Sequence, residues 1–498
     1  MNKHIAIVGS GLGGLVCGYI LAKNGYRITI LEKNPQPGGC LQTFVRHGAK
    51  FETGIHYIGS VEEGQVLHRL FRYLSLLPDV KLRSLDKMAY DTISIGGKHF
   101  LCANGRENFV EQLAQYFPQE RANLQRYYNT IADITENLPL HSLRTQASLD
   151  KLNLAYLQTS TSEFIESITP NHLLRQVLSG NLPLYGGVYG KTPLYIHALI
   201  RDFYNKSAYR IVGGSDVIAR SLIKSIRAMG GEVRTLAQVT KICCDSAKAV
   251  GVTLQSGEEV RADYFITNIH PLRTIELLGD TNLIRKAYRD RVAGMKNTIS
   301  NFTVYIKFKK NTVPYLNTNI FYHDSGDVWE CENYTQDSWH KSFLYMHVCS
   351  SADSPFAEAA VAIAYMRFDE VERWKNTQRG QRGSDYEEFK RRKAECLLGE
   401  LEKQNPGIMN NIEAYSTSTP LTYLDYTGTE RGSMYGVLHD CNQPLLSAVS
   451  QRTKIPNLYQ TGQNINLHGI LGVMIGALMT AGELLGTDNV LAQVAKAG

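Results

Sequence analysis

The stretch His4-Ile5-Ala6-Ile7-Val8-Gly9-Ser10-Gly11-Leu12-Gly13-Gly14, followed on to Glu32, decides how this chain folds. Residues 5–8 form a short apolar run, as a strand buried inside a parallel sheet requires. Residues 12–23 space their apolar side chains for a helix and stop at Asn24-Gly25, a C-terminal signal. Residues 27–31 (RITIL) are β-branched and apolar and end in Glu32. Strand, glycine turn, helix, strand and acid within about 30 residues make one βαβ unit. The turn fits G-x-G-x-x-G in its proper context. Gly9 permits the tight turn, Gly11 lets backbone approach a pyrophosphate, and Gly14 lets the helix pack close to the sheet. The helix N-terminus offers free N–H groups and the positive dipole end to phosphates. Glu32, 23 residues after Gly9, is placed to bind a ribose 2′-hydroxyl and to repel a 2′-phosphate.

Lys3 and His4 before an apolar stretch to Ala22 imitate a secretory signal, but Gly9, Gly11, Gly13, Gly14 and Gly18 interrupt it. The βαβ unit explains both the hydropathy and the glycines. With 498 residues, 43% hydrophobic and 20% charged, the chain has room for about three domains of globular composition, which excludes a disordered or fibrous protein. A net charge of +6 spread over this length is too thin for a nucleic-acid partner. Nine cysteines at irregular spacing, with Cys243-Cys244 adjacent and no CxxC, argue against a disulfide framework and a metal site. Reduced thiols place the chain in the cytoplasm.

The pattern further along predicts an α/β fold: a Rossmann-like nucleotide-binding domain discontinuous in sequence, plus a mixed α+β substrate domain with a helical insertion. Nucleotide-binding parts are expected at 1–87, 207–295 and 441–498. Residues 88–206, helical over 107–127 and 150–178, form the insertion. Residues 296–440, with strands over 301–310, 343–349 and 360–366 and a charged helix over 387–403, form the substrate domain. Residues 233–239, 249–254 and 264–267 read as strands. The apolar run 470–485 is short for a membrane span and carries Glu483, so it reads as a buried helix.

Three further segments carry chemistry. Gly38-Gly39 suggests backbone running against something flat or charged. Residues 51–59 (FETGIHYIG) set the ionisable rings of His56 and Tyr57 beside a glycine-bounded strand. Thr461-Gly462-Gln463-Asn464 lies between a short strand and a glycine-rich helix, whose N–H groups can stabilise negative charge on a ring system. A second glycine-flanked arrangement, Gly213-Gly214 to Gly230-Gly231, reads as scaffold.

Gly38-Gly39-Cys40-Leu41-Gln42-Thr43-Phe44, then residues 51–59, then Thr461-Gly462-Gln463 with Gly469 and Gly472, resemble the retinol saturases (all-trans-retinol 13,14-reductases). That family stands with the carotenoid isomerases and bacterial phytoene desaturases inside the amine-oxidase-like flavoprotein superfamily. The likeness covers nearly the whole chain and is most specific in the first 60 residues and the TGQ segment. It implies FAD as cofactor, with NADH or NADPH an admissible electron donor. By the resemblance, Gly9, Gly11 and Gly14 would hold the pyrophosphate and Glu32 the adenosine ribose. Gly38, Gly39 and Thr43 would pass near the flavin, and the backbone of Val239 would meet the adenine. Gly462, Gln463 and Asn464 would sit by the ribityl chain or pyrophosphate. The family's terminal segment typically carries an aspartate, whereas Gln463-Asn464 carries none, which puts redox tuning in doubt more than binding.

The implied activity is saturation of a C=C bond in an apolar polyene or retinoid-like lipid, by hydride from flavin N5 on one face and a proton from an acid on the other. Tyr57, His56 and His468 are the candidate acids, Tyr57 preferred to His56. Leu67, Leu70, Phe71, Leu74 and Leu77 line one helix face, for peripheral membrane contact or, as the larger share, for core packing. A carotenoid desaturase or a redox-neutral cis-trans isomerase uses the same fold and motifs. A non-enzymatic lipid-binding protein, as the GDP dissociation inhibitors illustrate for this fold, is the alternative of another class. Flavin content separates them.

Overall fold

In a computed structural model, residues 3–138, 142–144, 155–324 and 326–497 are described. The first strand, β1 (His4–Val8), is buried along its length. It leads through Gly9 (φ +96°) into α1 (Leu12–Lys23), and β2 (Arg27–Leu31) returns parallel to β1 with Ile7 opposite Ile30. The parallel sheet has five strands, in the order Glu232–Arg234, β2, β1, Tyr264–Thr267, Leu458–Gln460. The chain therefore contributes to this sheet at its start, in its middle and near its end. Its core is filled by α1, the helices Asp216–Ala228 and Gly469–Leu485, and the last helix Thr487–Ala497.

The second layer is a seven-stranded mixed sheet. Its strands Ser300–Phe308, Asn319–His323, Ser342–His347, Ala359–Met366 and Ile412–Ser418 come from the expected substrate domain. The hairpin Asp91–Ile95 and Lys98–Cys102 extends it, with Asp91–Ile95 parallel to Asn319–His323. Thus the segment expected to be a helical insertion opens with two strands, and becomes helical only from Arg106. The helix expected from residue 150 is described from residue 155, as Ala155–Gln158, Thr161–Ile168 and His172–Ser179; residues 150–154 lie outside the described residues.

One expectation is corrected. Residues 233–239 do not form one strand. Glu232–Arg234 joins the parallel sheet and Val239–Cys244 an antiparallel one, because Leu236 between them takes a left-handed conformation (φ +54°) and points to solvent. At the helix Val66–Tyr73 and the turn after it, core packing is what the leucines do: Leu67, Leu70, Phe71 and Leu74 are buried in the core and Leu77 packs against it. The helix Gly469–Leu485 is likewise buried, and among the described residues no helix is long and apolar enough to cross a membrane.

Candidate active site

The two ends of the chain meet at one cavity of about 530 Å³. At one end lies the glycine turn. Helix α1 starts at Gly11 with no side-chain cap and no acid in its first turn, so its leading N–H groups remain available to an anion. A Cβ on Gly14 would collide with the carbonyl oxygen of Gly9, which is why the helix can sit this close only with glycine. The Glu32 carboxylate is buried and organised: Oε2 accepts from Ser10 N at 3.0 Å and from Ser10 Oγ at 2.6 Å, and Oε1 from Asn34 N at 2.9 Å. Ser10 Oγ in turn accepts from Gly38 N at 3.1 Å. Ser10 therefore ties the acid at the end of β2 to the Gly38-Gly39 turn, a role hidden in sequence because it occupies a free position of the motif.

Gly38 and Gly39 both take positive φ and line the cavity. The doubled glycine answers to protein as well as to a ligand: a Cβ on Gly39 would come within 3.0 Å of Gly11 Cα, and one on Gly38 within 3.1 Å of Ala219. Thr43 does not line the cavity; its methyl group faces Gly214 on the far side. Val239 and Gln238 form the outer wall beside Glu32, Lys33 and Asn34.

Thr461 is held by donation of its N–H to the Thr267 carbonyl, which brings Gly462 against the start of α1. A Cβ on Gly13 would lie 2.9 Å from Gly462 N. Gln463 and Asn464 line the cavity, but Asn464 Oδ1 accepts from Val437 N at 3.0 Å, which leaves its amide N–H₂ as the inward donor. The helix Gly469–Leu485 begins here, again without a side-chain cap or an acid in its first turn. Two helix N-termini thus open on one cavity. Asn268, unremarked in sequence, sits between the two turns, 2.8 Å from where Cβ atoms on Gly11 and Gly13 would stand. A small polar residue just after the strand Tyr264–Thr267 was its only signal.

The other end of the cavity is apolar. Ser342, Leu344 and Met346 alternate along one strand and present one face to it, with Ile363 and Tyr365 beside them on the next. Tyr57, Tyr204, Tyr423, Met434, Tyr435, Pro183 and Leu184 complete the wall. Three of its phenols are occupied with backbone: Tyr365 donates to Leu182 O, Tyr435 to Pro183 O and Tyr423 to Thr53 O, at 3.2, 2.7 and 3.1 Å. These rings offer the cavity carbon surface.

Each of the three candidate acids lines the cavity, in a different state. Tyr57 stacks on Tyr204 with ring centres 4.3 Å apart and donates to Asp91 Oδ2 at 3.4 Å. Burial, then Asp91, holds its phenol far above the ordinary range. Asp91 is itself buried outside the cavity wall, and burial raises its carboxyl to about 7 against the pull of Asn319 and Arg201. His468 rests on Tyr435 and places Nε2 3.1 Å from Leu184 O; burial pushes its imidazole down to about 4, so it is neutral at pH 7. His56 places Nδ1 3.6 Å from Oε2 of the buried Glu52. The Cys40 thiol, also in the wall, is raised by burial to about 11 and stays protonated.

A cleft between two uncapped helix N-termini, with a glycine cradle and an organised carboxylate, fits a dinucleotide with a ring system at the apolar end. A family model for flavin-containing amine oxidoreductases matches residues 12–483. The chain belongs to this family. It is a flavin-dependent oxidoreductase with FAD as its cofactor, and the α/β fold with a discontinuous Rossmann-like domain is that family's. The chain is 28% identical over 526 aligned residues to human all-trans-retinol 13,14-reductase, covering 97% of this chain and 85% of the relative. It is 23% identical to the chloroplastic prolycopene isomerase of Daucus carota, covering 95% and 78%. Among solved structures, an oxidoreductase from Methanosarcina mazei shares the fold with a TM-score of 0.66 at 15% identity, over 96% of this chain and 99% of that one.

Proposed function

We propose that the enzyme saturates a C=C bond of an apolar polyene, a retinoid or carotenoid-like lipid, with NADH or NADPH as electron donor. The reading rests on one observation: the cavity that begins at the dinucleotide turn ends in tyrosine rings, three of whose hydroxyls are tied to backbone carbonyls. A flat, conjugated, neutral chain gains from ring faces and loses nothing to unmet polar groups. The carboxylates in the wall, among the described residues, are Glu32 and Glu276, both beside the nucleotide end, so an amine cation would meet no counter-charge at the apolar end. Similarity to a retinol reductase and a carotenoid isomerase supports the same substrate class.

When bound, FAD supplies the hydride, from its reduced N5, to one carbon of the double bond. Gly9 and Gly11 would cradle its pyrophosphate, with Gly14, outside the lining, letting α1 sit against the turn; Glu32 would hold its ribose, Val239 its adenine, and Gly38, Gly39, Gly462, Gln463 and Asn464 the flavin half. The close-packed wall excludes water, and a wall acid delivers the proton. Cytoplasmic protein would draw such a substrate from a membrane or carrier, through a surface other than the buried leucine face of Val66–Tyr73.

The test is to load the protein with FAD, reduce it anaerobically with NADH or NADPH, and incubate it with retinol or a carotenoid. A product two hydrogens heavier supports the reading. Altered geometry at unchanged mass makes the enzyme an isomerase, and a loss of two hydrogens from the oxidised protein makes it a desaturase. A colourless protein that takes up no FAD would make it a lipid-binding module.

A further inference from the structure

We propose that Glu52 is a positioning residue for His56, and that this couple supplies the proton in the reduction. The inference rests on the polyene reading above. The strand Ala49–Glu52 ends with its last side chain buried, and the loop that follows brings His56 back beside it. His56 Nδ1 is 3.6 Å from Glu52 Oε2, is itself buried, and has no hydrogen-bond partner. The ring also faces the cavity, so it has one nitrogen at the carboxylate and an edge at the substrate.

A carboxylate this buried is costly as a lone charge, and so is a buried imidazolium. Side by side, an imidazolium and this carboxylate offset each other's charge, and the carboxylate orients Nδ1–H so that the other ring nitrogen is left to face the substrate. Glu52 also acts on the Cys349 thiol, whose pKa is raised first by burial. Of the remaining candidates, Tyr57 also has a buried carboxyl beside it, in Asp91 outside the wall, but spends its hydroxyl proton on that group. His468 is neutral with Nε2 on a backbone carbonyl.

The step balances. One carbon of the double bond takes the hydride; the other forms its new C–H bond with the imidazolium proton as the N–H bond breaks. The couple, left as carboxylate and neutral imidazole, regains one proton from solvent before the next turnover. The preference for Tyr57 read from sequence gives way here to its neighbour.

The variants are Glu52→Gln, Glu52→Asp and His56→Gln, with two readouts. The first needs no cofactor. ¹⁵N-histidine NMR of the FAD-free protein near pH 7 should show His56 proton-bearing at Nδ1 toward the carboxylate in wild type, and changed in Glu52→Gln. The second is anaerobic stopped-flow of the FAD-loaded protein, following reoxidation by the polyene. His56→Gln should slow it by on the order of 10²-fold or more, Glu52→Gln by about tenfold, and Glu52→Asp should recover most of that. Reduction by NADH or NADPH should stay within about twofold in all three, and the double variant should be no slower than His56→Gln, since the pair acts as one unit. An unchanged His56 signal in Glu52→Gln, or wild-type reoxidation in Glu52→Gln or in His56→Gln, overturns the couple. Wild-type protein that takes FAD yet leaves the polyene's mass unchanged overturns the reductase reading instead, and the NMR result still decides the pairing. If Glu52→Gln does not fold, the wild-type spectrum and His56→Gln decide: a wild-type His56 without a proton on Nδ1, or wild-type reoxidation in His56→Gln, overturns the couple.

Discussion

The two ends of the cavity are built on different principles. The nucleotide end is backbone chemistry: Gly9, Gly11 and Gly462 bring main chain within reach of an anion, Gly14 lets α1 pack against the turn, and side chains such as Ser10, Glu32 and Asn268 hold the turns in place. Its glycines come from two short segments at the ends of the chain, and the middle of the chain adds Val239 and Asn268. The apolar end is side-chain chemistry, assembled from Tyr57, Tyr204, Leu344, Tyr365, Tyr423 and Tyr435, no two of them in the same element. The first end tolerates almost no added atoms; the second should tolerate reshaping. This is how one fold keeps one cofactor while its substrates diverge.

The sharpest way to break the comparison is to add one methyl group at each of two glycines of the same βαβ unit. Gly14→Ala drives a Cβ into Gly9 O and should remove soluble, flavin-loading protein, a destabilisation above about 3 kcal/mol. Gly25→Ala, where φ is +87° but no atom lies within 4 Å, should cost only about 1 kcal/mol and keep full flavin absorbance. Equal losses at the two sites, measured by thermal unfolding and flavin content, would mean that the close approach of α1 to Gly9 is not what requires glycine at position 14.

Next in size is Asp91, behind the apolar wall. Its carboxyl is raised from 3.8 to about 7 by burial. The folded protein therefore keeps this proton where the unfolded chain has released it, and stability falls as pH rises from about 4 to about 7. At about 1.4 kcal/mol per unit, the penalty approaches 4 kcal/mol above pH 7. Asp91→Asn can still accept from Asn319 and face Tyr57 with its amide, so it should be more stable than wild type at pH 8, with little gain at pH 4.5. Denaturant unfolding at the two pH values measures the difference; a pH-independent difference would show that Asp91 is ionised in the fold.

These elements also show what a sequence discloses. The glycine turn, α1, β2 and Glu32 were legible because the spacing itself performs the chemistry. So were the strands Ser300–Phe308 and Ala359–Met366, whose apolar runs are long and buried. Asn319–His323 and Ile412–Ser418 escaped, the first because five residues with polar ends carry little periodicity, the second because it is a half-exposed edge rich in Ser and Thr. Asp91–Cys102 was absorbed into a helical stretch because its partners lie more than 200 residues away. Ser10 and Asn268 show no pattern at all; only the approach of two turns gives them work. The apolar wall was invisible for a related reason: alternation along Ser342–His347 says that one face is apolar, not which face meets a cavity.

At the nucleotide end a milder change than Gly14→Ala separates organisation from packing. Glu32→Gln keeps the volume but loses the charge and one acceptor, so the bonds from Ser10 and Asn34 can no longer all be met. Weakening of FAD binding by about 10- to 100-fold is expected, as for loss of a charged hydrogen bond, with unfolding stability of the FAD-free protein changed far less. Equilibrium titration of the stripped protein with FAD is the measurement. Unchanged affinity would mean that Glu32 serves only to hold the Gly38-Gly39 turn through Ser10.

The smallest effect belongs to the apolar end. Tyr365→Phe deletes a hydroxyl already donated to Leu182 O, while leaving the ring that faces the cavity. One backbone carbonyl loses its partner, for a cost of about 1 kcal/mol in stability. The flavin spectrum and KM for an apolar polyene should hold to within about twofold. The same substitution is a strong discriminator against a polar substrate, because a hydroxyl that bound the ligand would be missed in KM rather than in unfolding. A rise in KM of tenfold or more with unchanged stability would place a polar group of the substrate at Tyr365. It would also remove the ground for reading this wall as a surface for ring faces alone.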